Sequence, residues 1–264
     1  MTTTTIAAAT AAPIGALEIY LSEPVNLRDL GGLPVAGGLI APGFAIRSDD
    51  LSTIPSETAE ELVEGGLRAV IDLRSRGEVQ ATGRGTLMEH AVMYHHVPFM
   101  TDLSGASRLK LEPGKMPDMT EFYPAMFESA ASQIVTALAV MAHAPGAVAF
   151  HCAAGRDRTG VLAASLLLAL GAEDEVIIAD YERTHPNTMA IMERTRPNLG
   201  QVMLAAGYDV DAAAKLAVKD PGADDAMRVT LRTLRERYAD PLAPLRAAGL
   251  GDGLVARLRE RAGV

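Results

Sequence analysis

From residue 25 to 51 the apolar residues come in short runs. Gly31-Gly32, Gly37-Gly38 and Pro42-Gly43 interrupt them, which predicts short strands joined by tight turns. Ser56 then stands ahead of Glu57, Glu60 and Glu61, a cap and an acidic first turn, for a helix that should stop at Gly65-Gly66. Leu67 to Leu73 is a short apolar strand, and Tyr94 to Phe99 predicts another before a polar, glycine-containing loop over 101–117. Asp118 with Glu121 makes a capping-box-like start. Phe122, Met126, Ala130, Ile134, Leu138 and Met141 follow at spacings of three and four, the stripe of one helix ending at Pro145-Gly146. Ala147 to Phe150 has no polar position, as expected of a parallel-sheet strand covered on both faces. An apolar helix runs from near Arg158 to Gly171. The remainder reads as helices broken at His185-Pro186, Arg196-Pro197, Gly207, Pro221-Gly222, Pro241 and Gly249. Met227, Leu231, Leu234 and Tyr238 form one apolar stripe and Leu250, Leu254 and Leu258 another, both expected to pack against the sheet layer.

Helix and buried strand in alternation predict an α/β fold with a central, mostly parallel sheet flanked by helices. At 264 residues one domain suffices, and residues 13–264 are expected to form it, behind a disordered Thr/Ala tail over 1–12. The tail lacks the charged and apolar regions of a signal peptide, and no apolar run reaches the ~20 residues that span a bilayer. The expectation is a soluble protein without an integral membrane segment, cytoplasmic, with leaderless secretion as the alternative. A net charge of −9 argues against a broad nucleic-acid surface. The one cysteine, Cys152, rules out an internal disulfide and a multi-cysteine metal site, and the histidines lack ligand spacing, so neither metal nor cofactor is expected.

Cys152 closes a strand and opens the segment Ala153-Ala154-Gly155-Arg156-Asp157-Arg158-Thr159, which leads into a helix. Strand, glycine-containing loop and helix N-terminus together form an anion nest: successive N–H groups turn inward and the helix end adds positive charge. Arg158 can grip two oxygens of a phosphate with its fork. The same field should hold Cys152 as a thiolate, and a thiolate facing a cradled phosphorus is a nucleophile in place. Thr159 can donate to the sulfur as it leaves, while His151 orders the loop. A lone cysteine is otherwise a small buried hydrophobe; here glycine, two arginines and threonine at these spacings point to chemistry.

His151-Cys152, five residues and Arg158-Thr159 resemble the signature of the cysteine-dependent protein tyrosine phosphatase superfamily. The run Val25-Asn26-Leu27-Arg28-Asp29-Leu30-Gly31-Gly32 is similar to the N-terminal motif of its bacterial tyrosine/serine branch, of the mycobacterial type. So are Ile46-Arg47-Ser48, Asp72-Leu73-Arg74-Ser75, Ile178-Ala179-Asp180-Tyr181 and Leu245-Arg246-Ala247-Ala248-Gly249, so the likeness covers about residues 20–262. It departs from the branch at Arg156, where lysine is usual, at Ala153, where a bulky residue is usual, and at Leu27, where phenylalanine is usual. The resemblance implies a phosphatase-like fold and hydrolysis of phosphotyrosine, with phosphoserine/threonine and phosphoinositides as further substrates, through a cysteinyl-phosphate.

A protonated carboxyl should stand over the leaving oxygen. The resemblance favours Asp102, on the loop after a strand. Asp157, between two arginines, suits orienting an arginine or a water, and Asp72 suits an arginine or backbone partner. Arg28, Arg47, Arg74, Arg76 and Arg84 either ring the site or pair with surface carboxylates, with Asp29 tethering Arg28. The tract 182–237 either packs as core or forms a helical lid carrying Met189, Ile191, Met192, Met203 and Leu204. Rival functions are a sulfurtransferase and a phosphate-reading interaction module.

Overall fold

The computed structural model describes residues 19–99, 118–205 and 222–264. The expected tail 1–12, the loop with Asp102 and the breaks at Gly207 and Pro221 lie outside the described residues. The strands are β1 (Arg28–Asp29), β2 (Pro34–Val35), β3 (Gly38–Leu39), β4 (Ala45–Ser48), β5 (Leu67–Asp72), β6 (Met93–His96) and β7 (Ala147–His151). The helices are α1 (Ser56–Glu64), α2 (Arg76–Thr82), α3 (Met119–Ser129), α4 (Ala131–His143), α5 (Asp157–Leu170), α6 (Asp174–Glu182) and α7 (Thr188–Ala205). After them come α8 (Gly222–Arg237), α9 (Ala243–Ala247) and α10 (Asp252–Ala262).

Five strands form one sheet in the order β1-β4-β7-β5-β6, with β1 antiparallel and the other pairings parallel; β2 and β3 make a separate hairpin. β7 is central and buried at every residue, because both faces are covered and neither can be polar. On one face Ile71, Phe150, Leu138, Leu162 and Leu166 belong to the main core; on the other Leu51, Ile54, Val70 and Leu87 make a smaller cluster. Alternation along β5 sends Ala69 and Ile71 to the first and Val70 to the second. Helix α5 leaves the C-terminal end of β7 buried from Thr159 to Leu170 and ends on Gly171 in the left-handed region.

Several expectations change. Pro55, not Ser56, holds the N-cap of α1, with no side-chain cap bond. The single helix expected after Asp118 is two, α3 and α4, bent by 69° at Ala130. The halves pack on different partners, α3 on α8 and α4 on α10 and α5, and a stripe of three- and four-residue spacings does not report a corner. Helix α7 continues through Pro197, because Arg194 and Asn198 bolt it to residues 20–22 and 49–53 on either side of the proline. The stripe Met227, Leu231, Leu234 is buried, but against α3 and α6; likewise α10 packs on α4 and α5, so both stripes meet helices rather than the sheet.

Candidate functional site

The C-terminal edge of the parallel sheet delivers His151 and Cys152, and the chain passes through residues 153–156 into α5. Cys152 is 1% exposed. Gly155 has φ +67°, and a Cβ there would lie 2.5 Å from the Ser48 carbonyl oxygen, so only glycine fits the turn. The carbonyl groups of the loop point into the protein. Asp50 N–H donates to Ala153 O at 3.1 Å, and Asn26 Nδ2 donates to Ala154 O and Gly155 O at 3.4 and 3.1 Å. Arg47 Nη2 donates to Gly155 O at 2.9 Å, and Gly160 N–H to Arg156 O at 2.7 Å. The N–H groups of Ala153, Ala154, Gly155, Asp157 and Arg158 have no acceptor among the described residues. Carbonyls turned back into the protein, with N–H groups on the opposite side at a helix N-terminus, make an anion-binding nest.

Arg158 is held from behind. Its two terminal nitrogens donate to both oxygens of Glu78, at 2.7 and 2.9 Å. Glu78 is the third residue of α2, where its carboxylate also accepts the Ser75 N–H and the Ser75 hydroxyl accepts the Glu78 N–H, a reciprocal capping box. Burial alone would push Glu78 up, but the Arg158 charge and these hydrogen bonds hold it down at about 2. Burial likewise works against the Arg158 charge, yet the charges of Glu78 and Cys152 keep it above its ordinary value. A guanidinium has five N–H donors. Glu78 takes one from each terminal nitrogen, and Nε–H and two more have no acceptor among the described residues, which leaves them for an anion.

Behind the cysteine, His151 is buried. Its Nδ1 accepts the Leu51 N–H at 3.3 Å, and Asp50 and Asp72 lie 3.7 and 3.8 Å from its two nitrogens. Burial holds His151 below its ordinary range against the pull of Asp72. Asp72 binds Arg74 and accepts the Tyr94 hydroxyl at 2.8 Å, the arginine partnership expected of it. Thr159 is fully buried, and its hydroxyl has no hydrogen-bond partner among the described residues.

Three of the five arginines do not ring a mouth. Arg28, Arg47 and Arg74 are buried; the first two share Asp180 and the third binds Asp72 and Asp50. Burial and the neighbouring Arg47 lower Arg28 to about 10 against the attraction of Asp180. Asp29 does not tether Arg28; it accepts the N–H groups of Gly31 and Gly43 instead. Arg76 and Arg84 are exposed, and Arg84 stacks 4.1 Å over the Tyr94 ring.

At the other rim Arg156 Nε donates to the Tyr181 hydroxyl at 3.3 Å, Tyr181 and Tyr123 hydroxyls meet at 2.7 Å, and Tyr123 donates to Asp157. Helix α7, in the candidate lid, packs on α2, with Ile191 buried and Met189 half exposed. The sequence reading missed Glu78 and Tyr123, and gave Tyr181 only a place in a motif without a role. The pattern Ser75-x-x-Glu78 was available as a helix start, but nothing in it announced Arg158 as the partner.

The tyrosine phosphatase family model matches residues 19–262. The chain is 27% identical over 275 residues to the triple specificity protein phosphatase PtpB of Mycobacterium tuberculosis, covering 89% of this chain and 95% of that one. It is 29% identical over 264 residues to a protein of Cupriavidus necator named as a tyrosine-protein phosphatase, over 94% of this chain and 85% of that one. A crystal structure of P. aeruginosa TpbA in complex with pTyr aligns at 14% identity over 66% of this chain and 86% of that one, with a TM-score of 0.29, too low to carry an argument.

Proposed function

The chain belongs to the tyrosine phosphatase family, and from that premise we propose that it removes phosphate from phosphotyrosine through a covalent intermediate on Cys152. The reading rests on one observation: a cysteine at the mouth of a helix, followed by five N–H groups and, on Arg158, three further N–H donors that have no acceptor among the described residues. Bound phosphate presents its equatorial oxygens to these N–H groups and to Arg158. The Cys152 thiolate attacks phosphorus in line, the bond to the phenolic oxygen breaks, and a carboxylic acid gives that oxygen a proton. Charge gathers on the equatorial oxygens, where fixed donors stabilise it most. Thr159, its hydroxyl without another partner among the described residues, donates to the sulfur when water displaces it from phosphorus. Asp102 is the acid of this scheme. Asp157, bound by Tyr123 and flanked by Arg156 and Arg158, orients the loop. The resemblance extends the proposal to phosphoserine/threonine and phosphoinositides, in keeping with the triple specificity in the name of PtpB, with Arg156 at the rim as a partner for a further anionic group.

The test is a substrate panel of phosphotyrosine and phosphoserine peptides, soluble inositides, and aryl and alkyl phosphates. Wild type should release phosphate, and Cys152→Ser should release none while still binding phosphate. Asp102→Asn should lower turnover more on alkyl than on aryl phosphates, because a phenol of pKa ~10 leaves with less help. Phosphate release by Cys152→Ser at the wild-type rate would overturn the reading. An equal loss on both esters, or the larger alkyl-selective loss in Asp157→Asn, would move the acid away from Asp102.

A further inference from the structure

A trans peptide unit carries its C=O and N–H on opposite sides. Fixing a loop carbonyl away from the nest therefore fixes the next residue's N–H into it. The described backbone has no cis peptide bond. The Gly155 carbonyl thus sets the Arg156 N–H, and the Ala154 carbonyl sets the Gly155 N–H. Two side chains hold these carbonyls: Asn26 donates to both, and Arg47 to Gly155. Both residues are 2% exposed or less, so they act from behind the loop and touch no substrate.

Each of these holders is itself held. Arg28 Nη1 donates to Asn26 Oδ1 at 2.6 Å, and a guanidinium cannot accept, so the Asn26 amide group must face the loop. The Asn26 N–H is taken by Asp49 at 3.1 Å. Arg47 donates to Asp180, whose other oxygen accepts Arg28 Nε at 2.9 Å. Strand β4, helix α6 and the segment before β1 thus converge on two carbonyl oxygens of one loop. Gly155 is the joint most able to turn its peptide over, since glycine tolerates both signs of φ.

We infer that Asn26 and Arg47 are positioning residues for the reaction, which turn the Gly155 and Arg156 N–H groups into the nest, with Arg28 and Asp180 as their support. This rests on the phosphatase reading above. Loss of either holder leaves binding of a loosely held substrate largely intact and weakens the transition state, where the equatorial oxygens bear most charge.

The experiment uses the full chain in two variants. Asn26→Ala removes both carbonyl bonds. Arg47→Lys keeps a cation beside Asp180 but cannot span Asp180 and Gly155 together. For an aryl phosphate, kcat should fall roughly tenfold to a hundredfold, less than the ~10²–10³ lost on deleting an oxyanion donor outright, while KM changes little. Affinity for orthovanadate should fall in step with kcat. In the wild-type protein, the backbone amide resonances of Gly155 and Arg156 should shift on adding orthovanadate, a measurement that needs no variant to fold. The inference is overturned if those two resonances stay fixed while Asp157 and Arg158 shift, or if folded variants keep wild-type kcat and vanadate affinity. A wild type that hydrolyses no phosphoester would sink the phosphatase reading instead, and the two failures are separable.

Discussion

Glu78 shows what one residue contributes that its neighbours in sequence conceal. Its position three residues after Ser75 marks a helix start, and that much is legible from local spacing. Its grip on Arg158 joins residues 80 apart, and no periodicity reports that. The fate of Arg28, Arg47 and Arg74 illustrates the same limit. A sequence gives their charge, but only tertiary packing decides that each meets a buried carboxylate. Removing one partner of a buried pair strands the other charge, typically at ~3–5 kcal/mol. Glu78→Gln keeps the shape and drops the charge, so the expected loss is on the order of 3 kcal/mol, a fall in Tm of roughly 6–12 °C for a chain of this size. The kcat for an aryl phosphate should fall with it, since Arg158 loses the anchor that aims its remaining N–H groups. Differential scanning fluorimetry and steady-state kinetics on the same preparation check both. An unchanged Tm would mean that the pair is solvated and does not fix Arg158.

At the scale of elements, the strand, loop and helix from Ala147 to Leu170 were legible because each signal was local: an apolar run without alternation, a glycine where φ is positive, and a long apolar helix closed by Gly171. The α3–α4 corner was not, because both arms keep the same spacing and only their different partners bend the chain. Helix α6 meets α5 at Gly160, where an added Cβ would lie 3.1 and 3.2 Å from two ring carbons of Tyr181. That glycine admits the ring whose hydroxyl meets Tyr123 and Arg156. Gly160→Ala offers a separation of stability from function. Alanine favours the helix by about 1 kcal/mol over glycine, which offsets the few tenths of an ångström that the ring must yield. The expected outcome is a Tm at or slightly above wild type with a lower kcat, because the Tyr181–Tyr123–Asp157 chain at the loop rim shifts. If Tm and kcat both match wild type, the tyrosine pair does not set the rim.

For the whole molecule, three of the carboxylates that tie the site together respond to acid with the same sign. Burial pushes Asp72, Glu78 and Asp180 up, but paired cations and hydrogen bonds outweigh it and hold all three below their ordinary values. Their contribution is complete above the unfolded carboxylate range near ~4 and disappears as pH falls through the folded values. His151 adds an earlier loss. Burial depresses its folded pKa, so below ~6.5 the unfolded chain takes up a proton that the folded one refuses. Stability then falls as pH drops, by about 1.4 kcal/mol per unit for one proton, until the folded value is reached. Denaturant midpoints measured from pH 8 to 5 should be level above about pH 7 and decline below it. His151→Asn keeps an acceptor for the Leu51 N–H without a titrating group, so its midpoint should stay flatter over that interval. A wild-type midpoint constant from pH 7 to 5, or the same decline in the variant, would show that His151 takes its proton while folded and that Asp50 and Asp72 accommodate the charge directly behind the nucleophile.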